Sequence, residues 1–323
     1  MRILSGITPS GECHIGNYFG AMRQHVAMQA GNEAIYFMAD YHSLNAVRDA
    51  AARRRMVLDV ALDYLACGLD PAQSVIYRQS DLPELCELAW VLTTITPMGL
   101  LERGHAYKDK VANGQSADHG LFAYPVLMAA DILIYNPDVV PVGQDQKQHI
   151  EMCRDIAQRF NHTYEVELFT LPEPHILESV AVVPGTDGRK MSKSYGNTLR
   201  MFWPEKQLKK AVMAIQTDST PVEAPKDTSQ PLFQLWSLFG DGEARRELWE
   251  RAERGGLGYG DVKKDLLARM LDHFAAMRAR RDELAKRPDD VEDMLLAGAA
   301  RARALAAPVV EAVRAATGIG PRR

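Results

Sequence analysis

Residues 2–17 read RILSGITPSGECHIGN, and how this stretch folds decides the rest. The apolar run Arg2 to Gly6 is expected to be a strand. A helical pattern runs from Asn17 to Ala30, with Phe19, Met22, Val26 and Met28 on or near one face. Between them lies the turn GITPSGECHIGN, kept tight by three glycines and a proline that let a ligand approach the backbone. In doubly wound sheets, ligands sit at the carboxyl ends of strands against helix N-termini, where this turn falls. Ser10 supplies a hydroxyl. His14 and Asn17 flank Gly16, where a side chain would block anything lying on the turn. The spacing is not G-x-G-x-x-G, so a dinucleotide fingerprint is unsupported. On spacing alone, a plain strand–helix turn capped by Asn17 serves equally well.

The alternation continues outward from this turn. Strands are expected at Ala34–Ala39, Ser74–Tyr77 and Val139–Val142. Helices are expected at 53–67, 84–94, 100–110, 118–135 and 145–160. Strands separated by helical crossovers predict an α/β fold with a doubly wound parallel sheet. After about Pro184 the pattern changes. A Pro/Asp/Ser/Thr-rich linker at 217–231 separates helical stretches, no strand is legible, and 289–317 is Ala/Arg/Leu-rich and helical. GLGYG at 256–260 looks like a dinucleotide loop but follows no strand, so it reads as a turn between helices.

Composition bounds the function. The 323 residues are 25% charged and 46% hydrophobic, enough for a sizeable core and two domains. A net charge of −4 gives no global positive field, so a nucleic-acid partner would be held by local patches. The four cysteines lack C-x-x-C or zinc-type spacing and make no disulfide scaffold. The N-terminus has no signal-peptide core. The most apolar run, Leu121 to Tyr135, contains Pro125 and Asp131 and falls short of a membrane span of about 20 residues. The expectation is a soluble cytoplasmic protein with no membrane contact.

Two further segments carry chemistry. In YPVLMAADILIYNPDVVPVGQDQKQ (124–148), Tyr124, Met128, Asp131, Ile132 and Tyr135 share a helix face. A buried Asp131 needs a partner, and a structural pairing is one outcome. The other is an apolar pocket with a single acceptor, suited to an indole N–H or a phenol O–H. Gln144, Asp145 and Gln146 then open the next helix. The second segment, GRKMSKSYGN (188–197), carries Lys190 and Lys193 with two serine hydroxyls, and Met191 is its one side chain of the buried type. Glycines 185, 188 and 196 would make it mobile. Composition alone favours an exposed basic loop; a clamp on a polyphosphate is the functional reading.

Taken in order, these segments resemble one family. PSGECHIGN is similar to the HIGH element of class I aminoacyl-tRNA synthetases, and KMSKS at 190–194 is identical to their second element. MAADILIYN with VPVGQDQKQHIEMCRDIAQRFN, TDS at 217–219, GYGDVKKDL at 258–266 and the terminal Ala/Arg-rich helix resemble bacterial-type tryptophanyl-tRNA synthetases. The resemblance covers essentially the whole chain. It implies a Rossmann-like (HUP-type) catalytic domain over 1–184 and the KMSKS loop with a helical anticodon-binding domain over 185–287. The C-terminal helix, 288–323, would pack back on the first.

The resemblance implies ATP-dependent attachment of L-tryptophan to tRNA(Trp) through a tryptophanyl-adenylate, in protein synthesis, by a homodimer. Mg2+ would be carried by ATP, with no structural metal. The substrate carboxylate is itself the nucleophile, so no catalytic base is needed. Thr8, Pro9, Ser10, His14, Gly16 and Asn17 would contact ATP. Gly143, Gln144, Asp145 and Gln146 would lie around the ribose and the substrate ammonium, and the Val182 backbone would meet adenine beside Met191. Lys190, Ser192, Lys193 and Ser194 would hold the polyphosphate. Catalysis falls to Lys190, Ser192, Lys193 and Gln146. Asp131 would accept the indole N–H, walled by Met128, Val140 and Val142, with Gly6 and His42 close by and Tyr124 and Gln146 anchoring the amino group. Thr8, His14, Leu4 and Gln144 depart from residues common in the family and mark a divergent subgroup. The rivals are a tyrosyl-tRNA synthetase, a nucleotidyltransferase with a similar turn, and a non-catalytic relative. Arg278, Arg280, Arg281, Arg301 and Arg303 are tRNA-contact candidates, with solvated helix faces the competing account.

Overall fold

The computed structural model describes residues 1–9, 11–104, 107, 108, 112, 118–143, 146–176 and 183–320. Among them five strands form one parallel sheet: β1 (Arg2–Ile7), β2 (Glu33–Met38), β3 (Ser74–Arg78), β4 (Val139–Val142) and β5 (Glu173–Ile176), in the order β3-β2-β1-β4-β5. β2 shows why the sheet is parallel and two-sided. From Ala34 to Met38 every residue is buried. Ile35 and Phe37 pack into one apolar cluster, and Ala34, Tyr36 and Met38 into the other. A strand covered on both faces has no place for polar alternation.

The helices that cover the sheet follow the expected segments. They are α1 (Ile15–Asn17), α2 (Arg23–Met28), α3 (Asp40–Ser43), α4 (Ala50–Ala66), α5 (Glu84–Ile95), α6 (Met98–Leu101), α7 (His119–Leu133) and α8 (Lys147–Thr163). A π-helical turn, Tyr18–Met22, joins α1 to α2. The expected helix over 100–110 is not continuous: α6 ends at Leu101 and gives way to a turn, and much of the remainder lies outside the described residues. The fifth strand was not legible, because Glu173-Pro-His-Ile176 has neither an apolar run nor alternation.

The second half is helical: α9 (Glu205–Met213), α10 (Pro231–Trp236), α11 (Gly242–Arg254), α12 (Tyr259–His273), α13 (Ala275–Ala285) and α14 (Pro288–Thr317). GLGYG is the turn that leads into α12, with Gly258 as its N-cap. The core of this half, including Leu208, Phe233, Trp236, Leu266 and Phe274, is continuous with the α2/α4 side of the sheet. α14 runs back along β3, an edge strand. An added Cβ at Gly298 would strike the backbone carbonyl of Ile76. Arg301 donates to the Ser74 carbonyl at 3.1 Å, so a side chain satisfies part of the open edge. No described helix is long and apolar enough to cross a membrane.

Candidate active site

The strand order reverses between β1 and β4, and ligands bind at such a switch point. The β1–β4 ladder has one register pair, Ile3 with Val139. Beyond it Pro141 offers no N–H, and the Ser5 hydroxyl donates to the Pro141 carbonyl at 3.3 Å. A cavity of about 520 Å³ opens at the carboxyl ends of both strands. That volume is in the range of small-molecule sites. It collects Leu4, Gly6, Thr8, His42, Tyr124, Met128, Asp131, Val140, Val142, Gly143 and Gln146, each anticipated from the sequence. Gly6 is required here: a side chain would sit 2.6 Å from the Phe37 ring, which also lines the cavity.

Asp131 projects from α7 and is 1% exposed. Its Oδ2 lies 2.8 Å from His42 Nε2, and its Oδ1 accepts from Gln79 Nε2 at 2.7 Å. The Tyr41 backbone N–H, a pure donor, meets Gln79 Oε1 at 3.0 Å. Gln79 must therefore turn its NH2 toward Asp131, which fixes the carboxyl as acceptor. The turn holding Gln79 is locked to α3 by Asp40, which accepts from the backbone N–H and hydroxyl of Ser80 at 2.9 and 2.5 Å. Burial raises the Asp131 carboxyl above the usual range, while the hydrogen bonds from His42 and Gln79 act against that rise. Each carboxylate oxygen keeps a further lone pair for a donor in the cavity. Gln79 was missed by the sequence reading, because a glutamine just after a strand carries no signal of its own. Tyr124 bonds His149 Nε2 at 2.6 Å, and its ring stands edge-on to His42 with centroids 6.3 Å apart.

Of the remaining anticipated residues, His14, Gly16, Asn17, Met191 and Lys193 gather at the turn after β1 rather than in the cavity. His14 is the N-cap of α1: Asn17 Oδ1 accepts from the His14 N–H at 3.0 Å, and the Asn17 N–H donates to the His14 carbonyl at 2.8 Å. The His14 ring folds over Gly16, where an added Cβ would lie 2.9 Å from Nδ1 and 3.7 Å from Met191 Cβ. Gly16 thus lets the two signature segments close on each other. His14 is 7% exposed, and among the described residues its Nδ1 has no hydrogen-bond partner. Burial, helped by Lys193 and Arg200, pushes its pKa down to about 4, so the ring stays neutral at pH 7. Lys193 Nζ donates to the Gly11 carbonyl at 2.8 Å, and burial lowers its pKa. The Ile15 N–H donates to Leu199, and Arg200 pairs with Glu12.

The KMSKS loop is more ordered in its contacts than its composition implies. Met191, the one side chain of the buried type in this stretch, is 5% exposed and belongs to a core cluster. Asn197, buried, binds Asp187 and the Lys190 carbonyl through Nδ2 and accepts from the Ser192 N–H at 2.8 Å. The glycines meet geometric demands: Gly188 and Gly196 have φ of 82° and 65°, and Gly185 packs against Asn197. Ser192 and Ser194 hydroxyls lie 2.9 Å apart, while Lys190 and Ser194 are exposed. Pro9 is buried and does not line the cavity. Ser10, Gln144, Asp145 and Val182 lie outside the described residues.

Of the arginine candidates, Arg280, Arg301 and Arg303 are exposed, as a solvated helix face would have them, while Arg278 and Arg281 are half-buried. Arg278 and Arg281 on α13, and Arg301 and Arg303 on α14, bond carbonyls or carboxylates of the same chain. Among the described residues no group of three or more His, Cys, Asp or Glu side chains is placed to hold a metal ion.

A 3-2-1-4-5 parallel sheet, a cavity at its switch point and two signature segments meeting at one turn are features of class I aminoacyl-tRNA synthetases. Residues 1–275 match the family described as tRNA synthetases class I (W and Y), and the chain belongs to it. Within that family it is similar to the tryptophan--tRNA ligase of Fusobacterium nucleatum, 52% identical over 318 residues, 98% of each chain. It is 52% identical over 320 residues to that of Rhodopirellula baltica, covering 99% of this chain and 100% of the relative. A crystal structure of the Campylobacter jejuni tryptophanyl-tRNA synthetase, complexed with ADP and tryptophan, has a TM-score of 0.93 at 47% identity. It covers 99% of this chain and 100% of that one.

Proposed function

We propose that the chain attaches L-tryptophan to tRNA(Trp) in two steps, ATP-driven formation of tryptophanyl-adenylate and then transfer to the tRNA, as a cytoplasmic homodimer serving protein synthesis. The observation that carries this reading is the buried Asp131, held as an acceptor by Gln79 and His42 at the floor of an apolar cavity beside the first signature turn. An indole N–H meets that acceptor, and Leu4, Met128, Val140 and Val142 wall the ring. Tyr124 and Gln146 lie where the amino group would be held. Gly6, Thr8 and Gly143 border the space in which the tryptophan carboxylate and the ATP α-phosphate would meet.

In the first step the carboxylate attacks the α-phosphorus in line, the bond to the β-phosphate oxygen breaks, and pyrophosphate leaves. No protein base is required; the chain positions the groups and stabilises charge. Neutral His14, Asn17 and the turn backbone would face the nucleotide, with Ser10, Gln144, Asp145 and Val182 completing its contacts. Lys193, with Lys190, Ser192 and Ser194, would neutralise the polyphosphate, and Met191 packs behind Gly16. Mg2+ would enter bound to ATP and supply further charge neutralisation there. In the second step a terminal tRNA hydroxyl displaces AMP from the adenylate. Residues 1–184 serve as the catalytic domain, with 288–323 packed back on it, and 185–287 carry the KMSKS loop and bind the anticodon arm.

The test is aminoacylation of a tRNA(Trp) transcript with radiolabelled tryptophan. ATP-dependent charging is expected. Adenylate formation without charging would favour a non-catalytic or regulatory relative in the second step.

A further inference from the structure

The substrate cavity leaves one buried ion pair unused. Asp63 on α4 is 1% exposed, and the Arg281 side chain on α13 is 18% exposed. Arg281 Nε donates to Asp63 Oδ1 at 2.6 Å and Nη2 to Asp59 Oδ1 at 2.9 Å. Asp63 turns its other oxygen, Oδ2, to the backbone N–H of Cys13 at 3.3 Å. Cys13, 3% exposed, lies in the first signature turn between Glu12 and His14. One turn earlier on the same helix, Arg278 donates to the carbonyls of Met201 and Trp203 at 2.6 and 2.8 Å, just beyond the second signature. α13 therefore grips both signatures, the first through Asp63 and the second through the chain that leaves it. Asp63 and Arg281 do not line the substrate cavity; they border a separate cleft of about 260 Å³ with Glu12, Cys13 and Arg200.

Stability gives little reason for charge here. Burial raises the Asp63 carboxyl even against Arg281 and Cys13, which favour its ionised form. Replacing a buried pair by packed apolar side chains is often neutral or stabilising. An apolar contact cannot orient an N–H, and this pair does. Fixing the Cys13 N–H fixes the peptide plane that joins Glu12 to Cys13, one residue before His14.

We infer that Arg281 and Asp63 are positioning residues for the first signature turn, transmitting the seating of the helical half to Glu12–His14. The inference rests on the reading of that turn as the ATP site. The test uses the full chain and ATP–pyrophosphate exchange. Asp63→Asn puts an amide where one of two donors needs an acceptor, and Arg281→Met keeps bulk while removing the fork. Each is expected to raise the KM for ATP about tenfold, a misplacement effect, with the KM for tryptophan changed less than about twofold. The double variant should be no worse than the more damaging single, because both act through one contact. Asp59→Asn, which cuts only the branch that does not reach Cys13, should leave the ATP KM unchanged. Parallel rises in both KM values, additive singles, or an Asp59→Asn effect equal to that of Asp63→Asn would each overturn the inference. Absence of exchange in the wild type would instead sink the ATP reading. Amide hydrogen exchange then decides the positioning role: residues 11–15 should lose protection in Arg281→Met while β1 and β2 keep theirs, and unchanged protection at 11–15 overturns it.

Discussion

At the residue scale, the cavity depends on a carboxylate held ready by its neighbours. Asp131 has its two protein partners, yet each oxygen can accept again. Asp131→Ala removes the acceptor and leaves Gln79 and a bound indole N–H unpaired. Preference for tryptophan over phenylalanine in kcat/KM should fall by about 1–3 kcal/mol; unchanged discrimination would remove Asp131 from this role. Lys193 touches the other half of the site. Lys193→Ala should slow adenylate formation in single-turnover measurements while tryptophan affinity barely moves, and a loss confined to tryptophan affinity would contradict that.

His25 gives a pH signature. It is 2% exposed and lines the cavity wall, and burial pushes its pKa down to about 4. Between about 4 and its ordinary 6.5 the native chain binds fewer protons than the unfolded chain. Its contribution to stability is therefore present above 6.5 and lost as the pH falls toward 4. His25→Gln should flatten the melting-temperature profile over that window relative to wild type. Parallel profiles would show that His25 does not titrate this way. Asp131 was legible because a carboxylate on an apolar helix face is costly and must be used. Gln79 and Asn197, equally buried and equally bonded, were not. Amides are cheap in any sequence context, and only the fold reveals what they meet.

At the element scale, β1 to β4 were readable because parallel strands covered on both faces write continuous apolar runs; β3, though an edge strand, is buried beside α14. β5 is the other edge, and there Glu173 and His175 are exposed and Pro174 half-buried, so Glu-Pro-His-Ile writes no apolar run and passes as loop. The place of α14 beside β3 rests on Gly298, whose missing side chain brings the helix against the Ile76 carbonyl. Gly298→Val should cost about 1–3 kcal/mol by overpacking and lower the melting temperature by several degrees. A variant as stable as wild type would mean that helix and strand can part without loss. On the same helix, Arg301 and Arg303 are exposed, as their charge implies, yet each is also tied inward, Arg301 to the Pro71 and Ser74 carbonyls and Arg303 to Glu84 and the Asp81 carbonyl.

At the scale of the whole molecule, the two halves share one core. The apolar side chains of α9 to α12 continue the cluster under α2 and α4, so the helical half is seated on the sheet rather than tethered to it. Among the large apolar side chains left exposed, two lie close together in sequence on α5 and at the start of α6: Trp90 is 70% exposed and Met98 63%. Large exposed apolar side chains at a helix surface mark an association face. A second copy of the chain is the expected occupant. Sedimentation should give twice the 35.9 kDa chain mass, and Trp90→Glu should shift the population toward the single chain. A wild-type chain that sediments as a monomer at micromolar concentration would contradict this.

The Asp131 cavity is proposed to select tryptophan for activation at the adjoining turn. ATP–pyrophosphate exchange measured with tryptophan, tyrosine and phenylalanine tests it most directly. Rapid exchange is expected with tryptophan and exchange slower by orders of magnitude with the other two; stronger exchange with tyrosine than with tryptophan would overturn the assignment.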